Sequence, residues 1–325
     1  MKEFNLISRI KSGITLNDKS LIKGIGDDCA VIQESNRRLL VTTDAFSEGT
    51  HFKRKYFTPS QAGAKAAAVN ISDICAMGGI PRYMFVTLGL PKKDSGAYAE
   101  SLMSGMIKYA ENYGVVLAGG DTIKSDKVFI SVTMIGEADN GFLLRSGARP
   151  GDRIFVTGCL GDAKAGFEIL ETKGNKKLKD YEVLPVKKFI APQPKLAEGR
   201  LLLMSKCVSS CMDISDGIIS DISRICEESR AGAEINAGLL PVSPSLKTAA
   251  RMRKKQAADY ALYGGEDYEL LFTVPENKLK KFAGFMSDYG LTFFETGRIT
   301  AKKGVRVIRG GRTVKESFSK AWKHF

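Results

Sequence analysis

Histidine is nearly missing from this chain: His51 and His324 are the two present in 325 residues. A histidine-based metal centre or an imidazole proton relay is thereby excluded, because each needs several ring nitrogens. Cysteine does not take over that role. The six thiols, at 29, 75, 159, 207, 211 and 226, are scattered through segments that read as regular structure, as reduced and buried side chains are. Cys207 and Cys211 invite a zinc reading, but no second pair stands at finger spacing. No window approaches the roughly 18 consecutive apolar residues of a membrane span. Biased tracts are lacking and prolines number ten, which leaves an ordinary globular protein. A Walker loop is also missing, since no G-x-x-x-x-G-K-[ST] occurs.

The length suffices for about two domains, each with its own core. Met1 to Ser12 alternates charge with Phe4, Ile7 and Ile10 at helical spacing, so it reads as a structural helix rather than a signal peptide, and a cytoplasmic location is expected. Net charge is +13, made of +3 over residues 1–145 and +10 over 146–325. The surplus includes Arg251, Arg253, Lys254 and Lys255, without the interleaved aromatics of a single-strand binding surface. A solvated basic face, with a smaller part attracting an anionic substrate, accounts for it, and nucleic-acid binding stands as the rival reading.

What the chain does have is aspartate beside glycine and at element ends. Cys211 to Ile214 reads as a buried strand and Gly217 to Glu228 as a helix, so Asp213 and Asp216 bracket Ser215 at the junction. A helix cap explains one of these carboxylates, and a hard-cation site explains both. Gly24-Ile25-Gly26-Asp27-Asp28 is a glycine-rich loop with a doubled carboxylate, and the strand Arg38–Thr43 ends in Thr42-Thr43-Asp44. Thr58-Pro59-Ser60-Gln61 starts a helix that runs to about Met77, with an alanine-rich stretch suited to close packing. Asn70 and Asp73 share one face of it, flanked by apolar residues, which points to a semi-buried polar pair with a ligand. Gly119-Gly120-Asp121-Thr122 follows a short strand at Val115–Ala118, where glycine lets a ligand approach the backbone. Gly158 to Asp162 leads into another helix and offers an anion site. The polar connector near 140–150 marks a domain boundary, giving domains 1–145 and 146–325. If the aspartates at 27, 28, 44, 73, 121, 213 and 216 converge, divalent cations must offset their repulsion. Such a cluster is what phosphoryl transfer from a polyphosphate needs.

These segments, together with Arg145-Ser146-Gly147-Ala148 and Gly264-Gly265-Glu266-Asp267-Tyr268-Glu269-Leu270, closely resemble the thiamine-monophosphate kinases, in order and over almost the whole chain. The resemblance implies an ATP-dependent conversion of thiamine monophosphate to thiamine diphosphate without a phosphoenzyme. It implies an α/β (α+β) fold: an N-terminal mixed sheet flanked by helices and used for homodimerisation, and a C-terminal α/β sandwich. Carried over by position, Asp27, Thr42, Thr43, Asp44, Asp73, Asp121, Asp213 and Asp216 would coordinate several Mg²⁺ ions. Gly120, Asp121, Arg145 and Ser215 would contact ATP, while His51, Glu266 and Trp322 would hold the thiamine part. The wider superfamily includes aminoimidazole ribonucleotide synthetase, selenophosphate synthetase and a hydrogenase-maturation enzyme, so an ATP-using relative with another anionic acceptor is the nearest alternative. No cysteine precedes Cys29 and the chain ends His324-Phe325, which separates it from the last two.

Overall fold

Alternation of apolar and polar residues builds the frame of the N-terminal half. The computed structural model describes residues 7, 9–12, 18–139, 141–174 and 176–314. Six strands, β1 (Leu21–Lys23), β2 (Ala30–Glu34), β3 (Arg37–Ser47), β4 (Ile80–Leu90), β5 (Val116–Lys124) and β6 (Phe129–Glu137), form a sheet in the order β1-β2-β3-β6-β4-β5. All neighbours are antiparallel except β4 and β5, which run parallel. Ile130, Val132 and Met134 alternate inward on β6 and are buried, as period-two patterning requires.

One face of this sheet is covered by α1 (Pro59–Ala76) and α2 (Ala97–Glu111). The start of α1 is the expected capping box: Thr58 Oγ1 accepts from Gln61 N at 3.2 Å, and Gln61 Oε1 accepts from Thr58 N at 2.9 Å. Two glycines set how closely the helices meet. A Cβ on Gly63 would lie 2.0 Å from Leu102 O, and one on Gly105 would lie 2.2 Å from Ser60 O. The alanines at 62, 66, 67 and 68 are buried along the same stretch.

Seven strands make the second sheet, in the order β13-β12-β9-β11-β7-β10-β8. They are β7 (Arg153–Val156), β8 (Ser210–Asp213), β9 (Gly232–Asn236), β10 (Leu270–Val274), β11 (Phe294–Thr300), β12 (Gly304–Arg309) and β13 (Arg312–Val314). Around them lie α3 (Asp162–Lys173), α4 (Asp180–Ile190), α5 (Leu196–Ser205), α6 (Ile218–Ser229), α7 (Pro244–Met252), α8 (Ala257–Tyr263) and α9 (Leu279–Asp288). Both faces are apolar. Ile154, Val156 and Leu271 pack with Ile218, Ile222 and Ile225 of α6, whereas Phe155, Phe272 and Val274 pack with Phe282 and Met286 of α9. The result is two mixed sheets flanked by helices, the expected architecture.

The connector stitches the two sheets together. Leu143 N donates to Met77 O at 3.0 Å, and Cys211 N on the edge strand β8 donates to Leu144 O at 2.8 Å. This places the start of α6 opposite the inner end of α1. One local expectation differs from the structure, and several elements are not anticipated by the sequence. Gly119 to Thr122 lies inside β5 rather than in a loop beyond it, because parallel pairing continues from Phe85↔Gly119 to Leu88↔Thr122. A Cβ on Gly120 would come 2.0 Å from Val86 O, so glycine keeps that pairing close. The helices α4 and α8 and the strand β9 carry no strong sequence punctuation and become visible only in the fold, while α7 has a missed start signal in its Ser243 cap and Pro244. No helix among the described residues is long and apolar enough to cross a membrane.

Candidate active site

Three buried strand and helix ends bring carboxylates together. Asp28 follows the glycine-rich loop before β2, Asp73 lies in the last turn of α1, and Asp213 ends β8. One carboxylate oxygen from each lies within 4.8 Å of the others. Hydroxyls hold two of them: Thr42 Oγ1 donates to Asp73 Oδ2 at 2.5 Å, and Ser72 Oγ donates to Asp213 Oδ2 at 2.6 Å. The Arg145 guanidinium pairs with Asp28 Oδ1, while Asp28 Oδ2 is buried with no hydrogen-bond partner among the described residues. A buried carboxylate oxygen left this way is costly unless something else meets it.

Burial and mutual repulsion show in the titration of the group. Desolvation first, then the neighbouring Asp28, pushes Asp213 from 3.8 up to about 7, against the pull of the Ser72 hydrogen bond and Arg145. Asp27 rises to about 6 for the same two reasons, with Lys23 and Arg145 opposing. Asp73 is driven well above the usual range by desolvation, then by Asp44, Asp213 and Asp28. These carboxylates cannot all be ionised at neutral pH without added positive charge.

They line a cavity of about 660 Å³ that runs between the two sheets. Of the residues singled out from the sequence, Asp27, Thr42, Thr43, Asp44, His51, Asp73, Arg145, Asp213, Ser215, Asp216 and Glu266 all line it. Asp27 accepts from Arg145 N at 3.2 Å and pairs with Lys23 Nζ at 3.3 Å. Asp216 pairs with Arg224, and the backbone N–H of Asp216 and of Gly217 donates to Asp221 Oδ2 at 3.2 and 3.1 Å. Asp221, rather than Asp216 or Ser215, thus satisfies the turn before α6. Also on the cavity wall, His51 stacks on Phe46 with centroids 5.4 Å apart, and its Nδ1 accepts from Ser47 N at 3.0 Å.

The segment Gly264–Leu270 sends its carboxylates to three destinations. Glu266, at φ 64, faces the cavity and pairs with Lys65 Nζ at 3.0 Å. Asp267 accepts from Gly161 N at 2.7 Å, filling the helix start that the glycines at 158 and 161 suggest as an anion site. The protein's own carboxyl group therefore occupies that helix start. Glu269 is held by Lys188 at 3.2 Å and Lys195 at 3.0 Å.

Other expected members lie elsewhere. Gly120 and Asp121 sit on the edge strand β5, exposed and outside the cavity wall. Through the pairs Asp44↔Val132, Val86↔Val132 and Val86↔Gly120, Gly120 shares a rung with Asp44, roughly 14 Å away at three strand spacings. Asn70 has no ligand role to spare: its Oδ1 accepts from Asp44 N at 3.2 Å and its Nδ2 donates to Ala66 O at 3.0 Å, fastening β3 to α1. Trp322 lies outside the described residues. Sequence reasoning passed over Lys65, Lys164, Phe167, Phe189 and Arg224, of which all but Lys65 line the cavity. A lysine at Lys65 amid seven apolar or small neighbours was the one available signal.

Two family models match, the N-terminal domain of AIR synthase related proteins over residues 26–138 and their C-terminal domain over 149–310. A thiamine-monophosphate kinase of Aquifex aeolicus (strain VF5) is 37% identical over 323 residues, covering 99% of this chain and 98% of that protein. The chain belongs to the thiamine-monophosphate kinase family. The thiamine-monophosphate kinase of Escherichia coli (strain K12) is 36% identical over 332 residues, covering 99% of this chain and 98% of its own. Among solved structures, AaThiL complexed with AMPPCP and TMP is similar at a TM-score of 0.87 and 36% identity, over 100% of this chain and 97% of that one. Members of the thiamine-monophosphate kinase family thus cover both halves of the chain rather than a single domain.

Proposed function

We propose that this enzyme transfers the γ-phosphoryl group of ATP to thiamine monophosphate, forming thiamine diphosphate by direct in-line displacement. One observation carries the reading: a single cavity is lined both by the carboxylate cluster and by Glu266 with the Phe167 and Phe189 rings. That layout suits a molecule with a phosphate at one end and a heterocycle at the other.

The donor set fits Mg²⁺. It is made of oxygen alone, and the orphaned Asp28 Oδ2 stands where a cation would relieve it. Asp27, Thr42, Thr43, Asp44, Asp73, Asp213 and Asp216 would hold the ions, with Asp28 joining them, whereas Asp121 stands on β5 outside this wall. When bound, Mg²⁺ neutralises charge on the transferring phosphoryl group. The chain's own residues do the rest. Arg145, fixed by Asp28, and Ser215 are assigned to ATP together with Gly120 and Asp121. His51, Glu266 and Trp322 are assigned to the thiamine part, Glu266 accepting hydrogen bonds from the aminopyrimidine. No side chain acts as nucleophile, because a phosphate oxygen of the acceptor is already ionised; positioning and charge neutralisation supply the catalysis.

A homodimer built on the N-terminal sheet belongs to the same reading. It is supported by the exposed edge strand β5 and by Tyr83, Phe85, Val116 and Ile123, which leave 40–58% of their surface uncovered. The division into domains 1–145 and 146–325 and a cytoplasmic location complete it, the latter supported by six free thiols. Incubation with ATP, Mg²⁺ and thiamine monophosphate should yield thiamine diphosphate, resolved by chromatography. Asp44→Asn and Asp73→Asn should each lower kcat by about a hundredfold or more with the fold retained by circular dichroism. ATP consumed on another acceptor, or full activity in both variants, refutes the assignment.

A further inference from the structure

The proposed reaction calls for no lysine on α1, yet α1 buries one. Lys65 has 0% of its surface exposed. Its Nζ lies 3.0 Å from Glu266 Oε1, an ion-pair contact without hydrogen-bond alignment, 3.7 Å from the centroid of the Phe189 ring and 5.6 Å from that of Phe57. Removing an ammonium from water costs several kcal/mol, and one ion pair with two ring faces offsets that only in part. Desolvation accordingly pushes the amine below the usual lysine range, with Glu266 opposing. Glu266 bears a cost of its own, a left-handed backbone at φ 64 in a residue with a Cβ. Two separate local costs therefore act on the placement of one carboxylate.

The geometry of α1 gives that placement a meaning. Lys65, Val69 and Asp73 are four residues apart and lie on one helix face. Val69 and Asp73 line the cavity, and the helical rise puts the Lys65 and Asp73 backbones about 12 Å apart. The helix spans the distance between the carboxylate cluster and the Glu266 end.

We propose that Lys65 is a positioning residue for acceptor specificity: its ion pair fixes the Glu266 carboxylate, at a helix-set distance from the Asp73 cluster, to accept a hydrogen bond from a heterocycle amino group. The inference rests on the thiamine monophosphate reading above. An ionised carboxylate only accepts, so an acceptor with a ring carbonyl in place of the amino group meets lone pairs with lone pairs.

The full-length enzyme is assayed with ATP and either thiamine monophosphate or oxythiamine monophosphate, which carries that carbonyl. Lys65→Met should raise KM for thiamine monophosphate by about tenfold or more, the scale of one charge-assisted hydrogen bond. Its kcat and KM for ATP should stay within about threefold, and its preference over the oxy analogue should fall with the KM effect. Glu266→Gln should show the same loss, and Lys65→Met/Glu266→Gln no more than Glu266→Gln alone, since both act through one carboxylate. The double variant buries no charge at this pair, so it serves if Lys65→Met fails to fold. An active wild type whose Lys65→Met variant keeps KM and preference, or a double variant with additive losses, overturns this inference alone. A wild type that makes no thiamine diphosphate overturns the underlying reading and this inference with it.

Discussion

Stripping divalent cations from the protein should make it more stable as pH falls from about 8 to 5, the reverse of ordinary acid destabilisation. Asp213 is the clearest source, with a carboxyl raised from 3.8 to about 7 by desolvation and Asp28. The fold prefers the protonated form, so the stabilisation is complete below the unfolded value and is lost as pH rises through 7. Between about pH 5 and 8 this one group changes stability by about 2–3 kcal/mol. Asp27, raised to about 6, adds in the same direction. For a chain of 325 residues, unfolding entropy of about 0.7 kcal/mol/K converts the Asp213 share into some 3–4 °C of Tm. Differential scanning fluorimetry in EDTA across that range provides the measurement. Asp213→Asn keeps an acceptor for Ser72 and carries no charge, so its curve should be flatter and its Tm at about pH 8 higher than wild type. A wild-type Tm that climbs from pH 5 to 8, or an Asp213→Asn curve parallel to wild type, would show that the cluster is not strained as described.

Two further outcomes test the scaffold. Gly63→Ala should destabilise by about 2 kcal/mol or more, because the added Cβ meets Leu102 O at 2.0 Å and the helices must separate; a denaturant midpoint equal to wild type refutes the close approach. Ile123→Lys on the exposed strand β5 should convert a dimer to a monomer in sedimentation velocity with the monomer fold intact, and an unchanged sedimentation coefficient removes the support from that face.

The elements with strong local chemistry were legible in the chain. Thr58-Pro59-Ser60-Gln61 specifies its capping box by side-chain reach alone, and β6 declares itself by alternation. The carboxylates could be collected because each stands at an element end, but their meeting depends on the connector, whose Leu143 holds Met77 O and whose Leu144 holds β8. Asn70 and Asp73 look equivalent in sequence, three apart on one face. Only the fold shows that Asn70 serves the backbone of β3 whereas Asp73 enters the cavity. Gly119-Gly120-Asp121 reads like a loop because glycine disfavours strands in isolation, and tertiary pairing with β4 overrides that preference. Lys65 illustrates the hardest case, since a charged residue on an alanine-rich helix signals exposure until its carboxylate partner arrives from residue 266.

The three carboxylates of Gly264–Leu270 restrict how such a protein can diverge. Asp267 and Glu269 anchor the segment to α3 and to two lysines, so residue 266 next to them cannot drift with a sliding loop. With Glu266 and Lys65 in the acceptor role proposed above, a lineage acquiring a new acceptor would have to rewrite side chains in place, at 266 and at 65, rather than shorten or lengthen the turn. Changes in specificity should therefore arrive as paired substitutions on two distant stretches of chain, with the backbone trace preserved.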